Sequence, residues 1–123
     1  MTAASDIDEV TALSVAYEAA LRRNDIEAMN GVFWNDPHVL RFGIADMQYG
    51  YDEVLAWRAS ATPVDPARTM LSRHVVALAD GVVAVDIMFS DTDSNRLGRQ
   101  SQTWVRLEDG WRITRAHVSL IPR

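Results

Sequence analysis

The chain has 123 residues, 48% of them hydrophobic, with 17 acidic against 12 basic side chains and a formal net charge of −5. That length supports one domain, 1–123, around one core; the apolar content excludes a disordered acidic segment, and the acidic balance argues against nucleic acid, whose phosphates call for excess cations. Cysteine and lysine are both absent, every basic residue being arginine, which removes disulfides, thiol nucleophiles, cysteine-based metal sites and Schiff-base chemistry.

The N-terminus, MTAASDIDEV, lacks the basic and apolar regions of a signal peptide. No apolar run approaches the roughly 18 residues that span a bilayer, so a cytoplasmic location without membrane contact is the expectation. Residues 5–24 read as a helix, with Ser5 as N-cap and Asp8 three residues on. Ile7, Val10, Leu13, Tyr17, Ala20 and Leu21 recur at three- and four-residue spacing and define its apolar face. Asp25 caps a second, shorter helix running to Phe33 or Trp34, which Asn35-Asp36-Pro37 ends. His38–Gly43 reads as a short strand, and a second short strand lies around Met47 to Tyr49. A third helix follows Gly50, with Tyr51, Val54, Leu55 and Arg58 on one stripe, and stops at Thr62-Pro63.

Two long strands, Arg68–Ala79 and Val82–Thr92, meet at Asp80-Gly81. Val83, Val85, Ile87 and Phe89 alternate and mark a core face. Gly98–Leu120 closes the chain as a hairpin turning at Glu108-Asp109-Gly110, where glycine accepts the positive φ of a tight turn. This order predicts an α+β fold. Three helices from the N-terminal half pack on a curved, mostly antiparallel sheet and leave a cone-shaped cavity.

Several polar side chains fall where such a cavity would be. Tyr17 is either a core tyrosine with one tied hydroxyl or a protonated phenol aimed into the cavity. Arg41, inside VLRFG, is either a surface arginine or one that needs a carboxylate from the protein or a ligand. Arg58 continues an apolar stripe, and either snorkels to solvent, pairs with an acid, or holds a ligand. His117 and Ser119 share a face with Trp111, Ile113 and Arg115 if no bulge intervenes; His117 is then a core histidine or a general base. Gln100 and Gln102 face opposite to Arg99, Ser101 and Thr103. Asp86 is expected to pair with an arginine across the sheet or to act as a base. His38 reads as a surface residue and His74 as structural. The three histidines are too scattered for a metal site, and no dinucleotide, phosphate-loop or nucleophile-elbow motif is present.

The element order and the ending GWRITRAHVS resemble the nuclear transport factor 2-like superfamily, which implies a curved sheet, three helices, a deep pocket and homodimerisation through the sheet. YEAALRRND, FWNDPHVLRFG, YGYDEVLAWR and GRQSQTWVR with GWRI and AHVSL are similar to the AtzH/HpxZ group, which accompanies amidases in cyanuric acid and oxalurate-type nitrogen catabolism. That resemblance implies a cofactor-free decarboxylating amidohydrolase that converts 1,3-dicarboxyurea to allophanate, and a possible amidase partner. It also implies essential roles for Tyr17 and Arg41. Arg41 would pair with one carboxylate of a small anionic substrate, and Arg58 or Gln100 and Gln102 would hold the other end. Tyr17 would protonate the nitrogen, His117, beside Ser119, would reload it, and Trp34 and Trp104 would wall the pocket. The chain departs from the group at Ala61, where relatives often carry a second arginine, so its substrate is open to difference. The alternatives are a non-catalytic partner of an amidase, and isomerase- or cyclase-like chemistry on an apolar ring.

Overall fold

The computed structural model describes residues 2–91 and 95–123; Thr92, the expected end of the second long strand, lies outside them. The elements in chain order are α1 (Ala3–Arg22), α2 (Ile26–Gly31), β1 (Leu40–Phe42), β2 (Met47–Tyr49), α3 (Tyr51–Ser60), β3 (Thr69–Ala79), β4 (Val82–Asp91), β5 (Arg96–Leu107) and β6 (Gly110–Pro122).

Helix α1 starts earlier than its sequence predicts, because Thr2, not Ser5, is the N-cap. The Ser5 amide donates to Thr2 Oγ1 at 3.1 Å and the Thr2 amide donates back to Ser5 Oγ at 3.2 Å, a reciprocal capping box. Asn24, at φ 52, turns the chain out of the helix. Asp25 then caps α2 as expected, accepting from the Ala28 amide at 3.1 Å. α2 is short because the chain beyond it joins the sheet. The Ile113 amide donates to the Val32 carbonyl at 2.7 Å, and the Trp34 amide to the Ile113 carbonyl at 3.0 Å.

The sheet runs in the order β2-β1-β6-β5-β4-β3, and β1 against β6 is its parallel pair. Gly81 (φ +72) and Gly110 (φ +121) make the two tight turns of the meander. The inner face carries Val83, Val85, Ile87 and Phe89 from β4, all buried, facing Trp104, Gln102, Gln100 and Gly98 of β5. Helix α1 is fixed across this face by polar ties at both ends. Buried Asp6 accepts from the Gly81 amide at 2.9 Å, and Glu18 accepts from Nε and Nη2 of Arg68, each at 2.8 Å.

Two irregularities decide what faces the cavity. Gly98 lets the Phe89 ring lie across β5, where a Cβ would overlap the ring. Gly98→Ala is therefore expected to destabilise the fold by about 1–3 kcal/mol in chemical denaturation. The second is a bulge in β6: Thr103 pairs with Arg115 but Trp104 pairs with Ile113, leaving Thr114 unpaired. The Thr114 hydroxyl donates to the Thr103 carbonyl at 3.2 Å and fills the gap. One extra residue reverses the facing of everything beyond it. Ala116, Val118 and Leu120 thus turn inward with Ile113, while His117 and Ser119 turn outward.

Candidate functional site

A cavity of about 280 Å³ opens between the three helices, β1 and the inner face of the sheet. Its walls include Tyr17 from α1, Arg41 from β1, Trp57 and Arg58 from α3, and Gln100 from β5. Met29, Phe33, Phe89, Val118 and Leu120 make it largely apolar elsewhere. Three arginines face it, and they differ in how their charge is met.

Arg68 is buried and donates from Nε and Nη2 to the two oxygens of Glu18, with its guanidinium carbon 3.9 Å from the Phe89 ring centroid. Arg41 donates from Nη1 to Asp46 Oδ1 at 2.8 Å and to Gln48 Oε1 at 2.9 Å; Gln48 donates in turn to Asp46 at 3.0 Å. The β1–β2 register places Arg41 opposite Gln48 and so makes this triad possible. Burial holds the Arg41 guanidinium below its usual pKa, and nearby Arg58 adds to the effect, while Tyr17 and Asp46 act against it.

Arg58 is different. It is 6% exposed, yet among the described residues no carboxylate lies within salt-bridge distance of it. Nη2 donates to the Tyr17 hydroxyl at 3.1 Å, Nη1 to the Met29 sulfur at 3.4 Å, and the buried Nε has no partner. A buried cation without a counterion is costly, and aromatic faces offset part of that cost. The Arg58 guanidinium carbon lies 4.8 Å from the Trp57 ring centroid and 5.6 Å from that of Phe33. Trp57 also carries Arg41 on its face at 3.5 Å.

Tyr17 is 6% exposed, with its ring tilted against Phe33 at 6.0 Å. Because its oxygen accepts from Arg58, its own O–H remains to donate to a ligand. The hydroxyl sits in the field of two guanidinium groups. Such an arrangement has the charge and the donors to receive an anion.

Of the side chains expected at the site, Tyr17, Arg41, Arg58 and Gln100 do line one cavity. His117 also borders it, though its side chain turns outward, and Trp34, Gln102, Trp104 and Ser119 are not in its walls. The Thr114 bulge turns the His117 side chain to the outer face, exposed and edge-on to Phe42 at 5.6 Å. Ser119 is also on that face, accepting from Arg99 at 3.2 Å. Trp34 stacks on His38 at 6.3 Å, away from the cavity, because its amide is held by β6. Trp104 is fully buried beneath the site, its indole N–H donating at 3.0 Å to Gln102 Oε1, while Gln102 Nε2 is buried without a partner; neither residue is part of the cavity wall. Asp86 is exposed on the outer face and accepts from the Ser101 hydroxyl at 2.8 Å; among the described residues no arginine forms a salt bridge with it. His74 is its cross-strand neighbour and is exposed as well.

The sequence reading misses Trp57 and Asp46. Trp57 carries no signal, since it falls off the apolar stripe of α3. Asp46 was findable: Arg41 needed a carboxylate, and the hairpin register brings residues 46 and 48 to its side.

The curved sheet, its helices and the arginine-lined pocket define a nuclear transport factor 2-like protein, a fold also called cystatin-like. At the level of fold alone, the chain is similar to a nuclear transport factor 2-like superfamily protein from Salmonella enterica, with 15% identity over 99% of this chain and 94% of that one and a TM-score of 0.78. The AtzH-like family model matches residues 2–123, and the chain belongs to that family. A cystatin-like fold protein from Burkholderia xenovorans LB400 is 42% identical over 97% of this chain and 94% of its own, with a TM-score of 0.93. A protein of unknown function from the DUF3225 family of Pectobacterium atrosepticum SCRI1043 is 34% identical over 96% and 92%, with a TM-score of 0.91. No curated protein matches the chain. Among the described residues no helix is long and apolar enough to cross a membrane.

Proposed function

We propose that this protein removes carbon dioxide from a small N-carboxylated urea or amide, as a decarboxylating amidohydrolase of the AtzH type. The observation that carries the reading is Arg58: a buried guanidinium with no carboxylate of its own among the described residues, bonded to the Tyr17 hydroxyl. It is the natural anchor for a substrate carboxylate, through charge-assisted hydrogen bonds. This moves the anchor from Arg41, whose Nη1 is already engaged by Asp46 and Gln48.

The step balances with the residues at hand. The bond between nitrogen and the carboxylate carbon breaks, its electron pair stays on nitrogen, and carbon dioxide leaves. The nitrogen takes the proton of the Tyr17 hydroxyl. The resulting phenolate is held by Arg58 and recovers a proton from solvent in the open cavity, since His117 faces away. The apolar walls contributed by Phe33, Met29 and Phe89 strengthen these charge interactions by excluding bulk water.

Purified protein given a panel of N-carboxylated ureas, 1,3-dicarboxyurea among them, should release carbon dioxide faster than buffer does. Rates equal to buffer across the panel contradict the reading. His117→Ala should keep turnover within about twofold of wild type, the range of an outlying surface change; a large loss would return His117 to the mechanism. The outer sheet face, where Val76, Leu78 and Met88 are 49%, 62% and 40% exposed, is the surface on which a second copy would pack. A monomeric mass in sedimentation would count against that packing.

A further inference from the structure

Two cations of the cavity wall, Arg41 and Arg58, share one aromatic ring. The Arg41 guanidinium carbon stands 3.5 Å from the Trp57 ring centroid, and that of Arg58 stands 4.8 Å from it. Among the described residues no other ring carries both; Phe33 carries Arg58 without Arg41. The hydrogen bonds of the two arginines are separate, Arg41 to Asp46 and Gln48, Arg58 to Tyr17 and Met29. Like charges this close repel, and long side chains have the freedom to swing apart.

The ring opposes that repulsion in a way a carboxylate does not. A π face attracts a cation through its quadrupole and takes none of its hydrogen-bond donors. A guanidinium lying on a ring keeps its in-plane N–H edge for an anion. Arg41 commits Nη1 to Asp46 and Gln48, which leaves the rest of its donor fork for a ligand. Burial gives no other reason for a large ring here, because Trp57 lies off the apolar stripe of α3 and is half-buried.

We infer that Trp57 is a positioning residue: its indole holds the Arg41 and Arg58 guanidiniums side by side, so that one ligand meets both. The inference rests on the carboxylate-site reading above and deepens it. An N-carboxylated urea has an oxygen acceptor at each end, a carbonyl or a second carboxylate opposite the first. With both cations on one ring, a carboxylate on Arg58 leaves the far acceptor to Arg41.

Oxamate, with a carboxylate beside an amide carbonyl, probes both cations. Calorimetric titration compares Trp57→Phe, which keeps a π face, with Trp57→Leu and Trp57→Met, which keep apolar bulk without one. Trp57→Phe should bind oxamate within about threefold of wild type, since a benzene face still attracts cations, though less than an indole. The two ringless variants should bind it about tenfold more weakly, the worth of cation–π contacts at a partly buried site. Chemical denaturation identifies which variants are folded, and either folded ringless variant suffices. A ring that only filled space would leave Trp57→Phe and the ringless variants alike. Equal oxamate affinity in Trp57→Phe and a folded ringless variant overturns the inference and leaves the carboxylate site standing. Absence of oxamate binding to wild type overturns the carboxylate site itself, and the inference with it.

Discussion

Arg58→Met is expected to give a protein that folds more stably and no longer holds a carboxylate. Arg58 is 6% exposed, has no carboxylate partner among the described residues, and leaves its Nε without a hydrogen bond. Such a group costs folding free energy and is retained for what it binds. Methionine follows the same path past Met29 and Phe33 without the charge. The expected gain is about 1–2 kcal/mol, offset in part by the lost bond to Tyr17. Oxamate affinity should fall by about 10²-fold, the worth of a charged donor that made more than one bond. Chemical denaturation and calorimetry on the same preparation read both quantities. A variant that is much less stable and binds as before would show that Arg58 is structural.

Tyr17→Phe separates chemistry from binding. The ring keeps its place against Phe33, 6.0 Å away, and only the oxygen is lost. Arg58 loses one acceptor but keeps its charge, so the substrate carboxylate still has its anchor. Turnover should fall by about 10²–10⁴-fold, the usual contribution of a positioned proton donor, with a much smaller change in KM. Initial rates of carbon dioxide release measure this. A folded Tyr17→Phe protein with wild-type turnover would remove the phenol from the mechanism and pass proton delivery to water.

Most of the fold was legible from local rules. Asp80-Gly81 and Asp109-Gly110 turn where glycine was required, and the alternation of Val83, Val85, Ile87 and Phe89 marked the inner face correctly. The helix start was missed because Thr2 and Ser5 satisfy each other more completely than Ser5 and Asp8 would. The site was harder to read, for one reason above others. Period-two reasoning along β6 holds only until a residue is left unpaired, and Thr114 is that residue. Its effect was to exchange His117 and Ser119 for Ala116 and Val118 at the cavity wall. Trp104 and Trp34 were assigned to the wall by residue type, but one is locked to Gln102 under the floor and the other is drawn off by the bridge to Ile113.

The arginines show the limit from another side. Sequence placed Arg41 inside a short strand and Arg58 on an apolar stripe, and left open whether each reached solvent, an acid or a ligand. It did not tell which would find an acid. Asp46 reaches Arg41 through the two-strand hairpin, whereas Arg58, on α3, donates to a phenol and a sulfur beside the Trp57 and Phe33 rings and, among the described residues, meets no carboxylate. That difference arises from how α3 packs, which no local pattern encodes, and it determines where the ligand is seated.

The most direct test of the account is a crystal structure of the protein grown with oxamate. The carboxylate is expected inside the cavity, within hydrogen-bond distance of the Arg58 guanidinium and the Tyr17 hydroxyl, with the Arg41–Asp46 pair still closed. Oxamate seated with its carboxylate away from both Arg58 and Tyr17, or a cavity without oxamate at a saturating concentration, would contradict it.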